Sequence, residues 1–281
     1  MALGRRVGVT ILASMIVGGA AFAAFFFLRT PRADRAWAAD QARLASVVVE
    51  GDSMRIHGMR DFRWALDGTA TPGYRDMAFA LGEVRGVWFA LAPFANRYRG
   101  LAHSFLSFEL DGDRFVAVSI EARREEHERY SLSGGVLRAF ELAYVIGTEE
   151  DLLGARAQRG DELFLYPSTA TPAQARAILV DMMRRAAVTR ERPEFYNTFF
   201  NNCVTNLRDH VNRVATARLP RGWGVLLPGF SDALALEHGL LATDLGLEQA
   251  RTRFRVDGRV RAALAEGGEG FGGRIRSATG A

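Results

Sequence analysis

Hydrophobic positions along the chain change rhythm twice, and each rhythm predicts a different kind of structure. The first is an unbroken apolar run, Val7–Leu28, with no charge in 22 residues and ending in Phe25-Phe26-Phe27-Leu28. As a helix it is long enough to cross a hydrocarbon layer of about 30 Å. From Ser46 to Tyr166 apolar residues alternate with polar ones or come in short β-branched runs, the period of strands. From Thr171 onward the spacing turns helical.

Within the strand region, Ser46–Trp64 predicts one or two strands, and Ala70–Tyr74, with Thr-Pro-Gly inside, predicts a turn. Val84–Phe94 predicts a further strand. Leu101–Leu110 and Arg114–Glu121 form an antiparallel hairpin about Asp111-Gly112, a strong turn dipeptide. On the first hairpin strand His103, Phe105 and Ser107 share one face, and folding about the turn sets His103 opposite Ile120 or Glu121. The charge-dense segment Arg123–Tyr130 reads as a solvated turn or strand end. Phe140–Ile146 is then a strand, Glu149–Ala157 a helix, and Leu163–Tyr166 a strand stopped by Pro167. The predicted helices are Ala33–Ala45, Thr171 to about Ala187 with Pro172 at the first helical position, Asn202 to about Ala217, Ser231–Leu240 and Gly246–Arg255. Strands in the middle followed by helices predict an α+β domain with a central antiparallel sheet rather than a doubly wound sheet. The expected division is a signal anchor over residues 1–30, a linker helix over 31–48, a domain over 49–265, and a disordered Gly-rich tail over 266–281.

Arg5 and Arg6 precede the apolar run and place the N-terminus in the cytoplasm, although Arg29, Arg32 and Arg35 follow it and weaken that asymmetry. A cleavable signal peptide is the alternative, since Ala20-Ala-Phe-Ala-Ala24 offers small residues to a peptidase. An uncleaved, single-pass anchor is the expectation, with the remaining chain in the periplasm of a Gram-negative-type bacterium. Inner-membrane lipid is then a partner.

Composition adds exclusions. The formal net charge is +4 and all 36 basic residues are Arg. Without lysine there is no Schiff-base chemistry. The arginines are scattered among acidic residues, so nucleic-acid binding has no support. One cysteine forms no internal disulfide and no Cys/His metal framework. No cofactor or metal is expected.

That cysteine, Cys203, follows Asn201-Asn202 and opens the amphipathic helix. Asn is a favoured N-cap, and the first turn of a helix favours an anion. A lone cysteine can equally be a small buried hydrophobe. Of five histidines, His57 and His127 lie in polar surroundings, His238 has no partner motif, and His210 is two helical turns from Cys203. His103, on an alternating strand beside Glu121, is the candidate base. A Cys203–His103 pair with an orienting third group would form an acyl-enzyme. Asn201, Asn202, Tyr196 and Asn197 are candidates for holding the oxyanion, or equally capping and turn residues. Arg123 is a further candidate substrate contact.

The ordered series Ala102-His-Ser-Phe-Leu-Ser-Phe108, Val118-Ser-Ile-Glu-Ala-Arg-Arg124, Tyr130-Ser131, Glu141-Leu-Ala-Tyr144 and Phe195-Tyr-Asn-Thr-Phe-Phe-Asn-Asn-Cys203 closely resembles the Lnb N-terminal periplasmic domain family. The resemblance covers about Val49 to Val214. It implies a circularly permuted papain-like fold of NlpC type, with the His strand before the Cys helix, Cys203 as nucleophile, His103 as base and Glu121 as the third, orienting residue. It further implies action at the outer face of the inner membrane and N-acylation of lipoproteins with an acyl chain taken from a phospholipid. Lnb proteins carry several membrane helices after this domain, and no second apolar run of such length occurs here. The expected function is therefore a membrane-anchored acyltransferase or thiol hydrolase acting on a lipoprotein or phospholipid. A peptidoglycan amidase or peptidase and a non-catalytic binding domain are the alternatives.

Overall fold

The computed structural model describes residues 2–65, 67–95, 98–215, 218–220 and 222–277, and for residues 2–11, 25, 223 and 226 it describes the backbone alone. Helix α1 (Ala2–Leu28) takes up the apolar run. Among the described residues no helix is long and apolar enough to cross a membrane, so the predicted span is not established by the structure. The side chains of its first part, with Arg5 and Arg6, lie outside the described residues.

The chain then runs through β1 (Ser46–Glu50), β2 (Ser53–Arg60), β3 (Arg63–Trp64), β4 (Ala70–Thr71), β5 (Tyr74–Ala80), β6 (Val84–Pro93), β7 (Ala102–Leu110) and β8 (Arg114–Arg123). Helix α2 (Leu132–Val136), β9 (Glu141–Gly147), α3 (Glu149–Gln158) and β10 (Phe164–Pro167) follow. Next come α4 (Pro172–Glu191), α5 (Cys203–Asn212), α6 (Trp223–Leu226), α7 (Ser231–Glu237), α8 (Leu247–Phe254), α9 (Asp257–Glu266) and α10 (Phe271–Arg276). Eight strands form one sheet in the order β1-β2-β9-β8-β7-β6-β10, with β5 also on β2. Only the β2–β9 contact is parallel. The α+β expectation with an antiparallel sheet holds.

The sheet separates two apolar layers. Leu106, Phe108, Val118, Ile120 and Ile146 pack on Leu179, Met182 and Met183 of α4 and on Val204 and Leu207 of α5. Phe105, Ala117 and Val145 face Leu153 of α3, Val260 of α9 and Ile275 of α10. This is why β7 to β9 are buried almost throughout. Thr171 caps α4 by accepting from the Gln174 N–H, with Pro172 in the first turn, as its sequence predicts. The β7–β8 turn places Gly112 and Asp113 at positive φ, which Gly and Asp tolerate.

Several expectations fail for physical reasons. Ala33–Ala45 forms only a 3-10 turn at Ala39–Gln41; helix propensity loses to tertiary pairing. Arg35 reaches Glu141 at 2.6 Å and Glu125 at 2.7 Å, and Arg123 reaches the Gln41 and Ala42 carbonyls at 3.0 Å. The segment is therefore a strap laid across the β8 and β9 ends. Arg123–Tyr130 is the end of β8 followed by a turn, as expected, but only part of it is solvated: Glu126, His127 and Arg129 are exposed, whereas Glu125 and Glu128 bind Arg35 and Arg123 is buried. The tail is ordered through Ser277 as α10, with Ile275 fully buried and Arg276 paired to Glu149. Its glycines serve close approach: a Cβ on Gly272 would lie 2.0 Å from Phe115. Residues 278–281 of the expected disordered tail lie outside the described ones. Strand β5 and helix α9 were not anticipated. Helix α5 is shorter than expected; Ala217, its predicted end, lies outside the described residues.

One buried carboxylate of α3 ties that helix to β2 and β3. Asp151, fully buried, accepts from Arg60 at 2.7 and 3.0 Å, from the Phe62 N–H at 3.0 Å and from the Trp64 indole at 2.8 Å. Removing one partner strands the Arg60 charge in a dry setting, which costs about 3–5 kcal/mol. Asp151→Ala is expected to lower unfolding stability by about that amount in urea titration, and a loss under about 1 kcal/mol would refute this role.

Candidate active site

Helix α5 begins at Cys203 because Asn202 stops the preceding turn and caps it. The Asn202 side chain accepts from the Thr205 N–H at 2.9 Å and the Thr205 hydroxyl accepts from the Asn202 N–H at 2.8 Å. These two bonds use two of the four N-terminal donors that a helix leaves open. No acceptor for the Cys203 or Val204 N–H is found among the described residues. The thiol is buried.

His103 comes from the start of β7, and its ring stacks over Phe105 with centroids 5.9 Å apart. Its Nε2 lies 2.6 Å from Ser119 Oγ and 3.1 Å from Glu121 Oε1. Ser119 in turn donates to the same Glu121 oxygen at 2.7 Å, as does Arg156 at 2.9 Å. With the ring proton on Nε2, His103 donates to Ser119 and Glu121 and keeps Nδ1 as its acceptor nitrogen. Cys203 and His103 line the same cavity.

The electrostatics follow from this arrangement. Burial is the largest influence and works against a charged His103, but the Glu121 carboxylate and the Cys203 side chain together outweigh it, and the ring holds its proton above the ordinary histidine value. Burial likewise opposes an ionised Glu121, and the His103 and Arg156 charges override it, holding the carboxyl well below its usual range. Burial raises Tyr130 and Tyr196, and for Tyr196 the adjacent Cys203 charge adds to the effect, so both remain neutral donors. Their hydroxyls lie 3.5 Å apart.

These groups line a cavity of about 330 Å³ that holds Cys203, His103, Glu121, Tyr130 and Tyr196, with Arg124, Arg156 and Arg159 in its wall. The structure thus joins Cys203, His103, Glu121 and Tyr196. It does not bring the other candidates in. Asn202 is spent on capping and on the Thr198 carbonyl at 2.7 Å. Asn201 bridges the Phe195 carbonyl and the Asn206 amide. Asn197 accepts the Phe199 and Phe200 N–H groups at 3.0 Å in a turn. Arg123 points away, stacked on Trp37 at 4.1 Å. His210 is bound to Asp181 and Tyr144, at the far end of α5 from the thiol.

Two site residues went unassigned in the sequence. Ser119 shares the parity of Glu121 on an alternating strand, so the period of two was a usable signal. Arg156 comes from a helix with no local signal for this contact.

The model of the Lnb N-terminal periplasmic domain family matches residues 70–228. The chain belongs to this family. The match starts later and ends later than the Val49–Val214 span of the resemblance, and takes in β4 through α6. Membership supports a periplasmic location for the domain. No curated protein and no solved structure is similar enough to match the chain. Among the described residues no group of His, Cys, Asp and Glu is arranged to hold a metal ion.

Because folding raises the His103 value, protonation of this ring stabilises the fold below about pH 6.5 and that contribution disappears as pH climbs through the folded value. Glu121→Gln removes the charge that contributes most against burial. The NMR titration midpoint of the His103 ring, followed in a Cys203→Ser background, is expected to move to lower pH. An unchanged or higher midpoint would show that Glu121 does not govern the ring.

Proposed function

We propose that this periplasmic domain is a thiol acyl-transfer enzyme with Cys203 as nucleophile, His103 as base and Glu121 as the group that orients and charges the base. The observation that supports it most is the convergence of a buried thiol, a buried imidazole and a partly buried carboxylate on one cavity. The His strand preceding the Cys helix also accords with a permuted papain-like arrangement of NlpC type. Helix α1, with its 22 uncharged residues in sequence, is proposed as an inner-membrane anchor.

In the reaction His103 takes the thiol proton and the Cys203 sulfur bonds to an ester carbonyl carbon. Charge develops on the carbonyl oxygen, for which the Cys203 and Val204 N–H groups and the Tyr196 hydroxyl are the available donors. The carbon–oxygen bond to the leaving alcohol breaks as His103 returns the proton to it, leaving a thioester. An acceptor amine then attacks, giving its proton to His103 and releasing the sulfur, or water does so in a hydrolase.

The acceptor and donor follow the family: a lipoprotein N-terminus and a phospholipid acyl chain. Two features favour a lipid donor over a cell-wall peptide. Four arginines, Arg60, Arg124, Arg156 and Arg159, line the catalytic cavity and match an anionic headgroup. A separate apolar cavity of about 360 Å³ has Val204, Leu207 and Val211 of the Cys203 helix in its wall, a space suited to alkyl chain.

Cys203→Ala should lower turnover about 10⁴-fold or more. Mass spectrometry of lipoprotein N-termini, in strains carrying the wild-type or the Cys203→Ala chain, reads this directly. Loss of N-acylation with Cys203→Ala supports the reading; full complementation by Cys203→Ala would sink it, and a change confined to cell-wall fragments would favour an amidase.

A further inference from the structure

Seven large apolar side chains outside α1 are exposed among the described residues, and four of them, Leu132, Leu137, Phe199 and Phe200, surround one place. Phe199 and Phe200 form the tip of a tight turn closed by reciprocal backbone bonds between Asn197 and Asn201 at 3.0 and 3.1 Å. The Asn197 side chain holds both of their N–H groups. Phe200 is 80% exposed on this fixed support. Helix α2, which carries Leu132, is bound to the same turn through the Thr198 hydroxyl and the Leu132 carbonyl at 2.8 Å.

The patch continues into the end of α1. Arg138, the residue after Leu137, donates to the Phe26 carbonyl at 3.0 Å, and its guanidinium sits 4.2 Å from the Phe26 ring and 5.5 Å from the Phe195 ring. Phe27 and Leu28 are exposed beside it, Leu28 at 79%. A cleft of about 330 Å³ bounded by Arg29, Arg138, Phe195, Tyr196 and Phe200 runs between the helix end and the turn. Exposed aromatic and aliphatic side chains flanked by arginines, and continuous with an apolar helix, have the make-up of a membrane-interface contact.

We infer that the Phe199-Phe200 turn, with Leu132 and Leu137, is a second membrane contact that inserts into the outer leaflet beside α1. This rests on the proposed role of α1 as an anchor. The turn runs directly into the cap of the catalytic helix, since Asn202 donates to the Thr198 carbonyl, and Tyr196 lines both the cleft and the catalytic cavity. Lipid at the turn is thus one residue from the site wall.

The test uses the full chain in vesicles of phosphatidylcholine and phosphatidylglycerol, with brominated acyl chains as quenchers. Phe200→Trp places a reporter at the tip without changing its class. Arg85→Trp places one at an exposed strand position near the far end of the β7–β8 hairpin, where Arg85 pairs with Asp111. The signal of each is taken after subtracting wild type. Residue 200 is expected to be quenched at least about threefold more than residue 85, and Phe199→Ser/Phe200→Ser to leave the chain floating with the vesicles. A chain that floats with residue 200 quenched no more than residue 85 overturns the second contact alone. A chain that does not float overturns both the anchor and the contact.

Discussion

Phe105 pairs with Ser119 and Leu106 with Val118, and with that register a ring two residues before Phe105 comes level with a carboxylate two residues after Ser119. The catalytic proposal depends on this alignment. Strand side chains alternate, so a slip of one residue would turn the whole polar set to the α4 and α5 side. The slip is opposed on both faces, because β7 and β8 lie between β6 and β9 and bury apolar residues in both layers. The polar set itself is closed: His103, Ser119, Glu121 and Arg156 satisfy one another within a buried region. Such a network is stable only when complete.

The alternation of β7 and β8, the turn dipeptide between them and the capped start of the Cys203 helix were all legible in the sequence, because each is set by neighbours close along the chain. The pairing of His103 with Glu121 followed from counting outward from Asp111-Gly112. What escaped was set by distant partners. Ala33–Ala45 has a helical composition, but Arg35 is bonded across more than a hundred positions to Glu141. The Gly-rich end reads as disordered until Phe115 is seen to need the space at Gly272. Asn197, Asn201 and Asn202, read as oxyanion candidates or equally as capping and turn residues, take the second role. Local turn and cap bonds satisfy them, and their amides are not aimed into the cavity.

The absence of lysine is visible in how charge is buried. Arg35, Arg60, Arg123 and Arg276 each serve several acceptors or stack on an aromatic ring while largely removed from water. A planar fork with several donors can do this, whereas an ammonium group cannot match it. Three of these forks join segments far apart in sequence: Arg35 the strap to β9, Arg60 the sheet to α3, and Arg276 the C-terminal helix to α3.

The strap has a mechanical consequence. A Gly- or Ser-rich tether would let a domain drift on its anchor over tens of ångströms. Here the residues that follow α1 are fastened within a few positions, Arg32 and Arg35 to Glu141 and then Gln41 to the backbone of Ala122 and Arg124. For an anchored α1 this makes a stiff neck: the domain has one height and one tilt above the bilayer. Under the proposed reaction, a cavity held that way cannot reach for its substrates. Those that diffuse in the plane of the membrane pass its entrance repeatedly, and those that do not must be delivered.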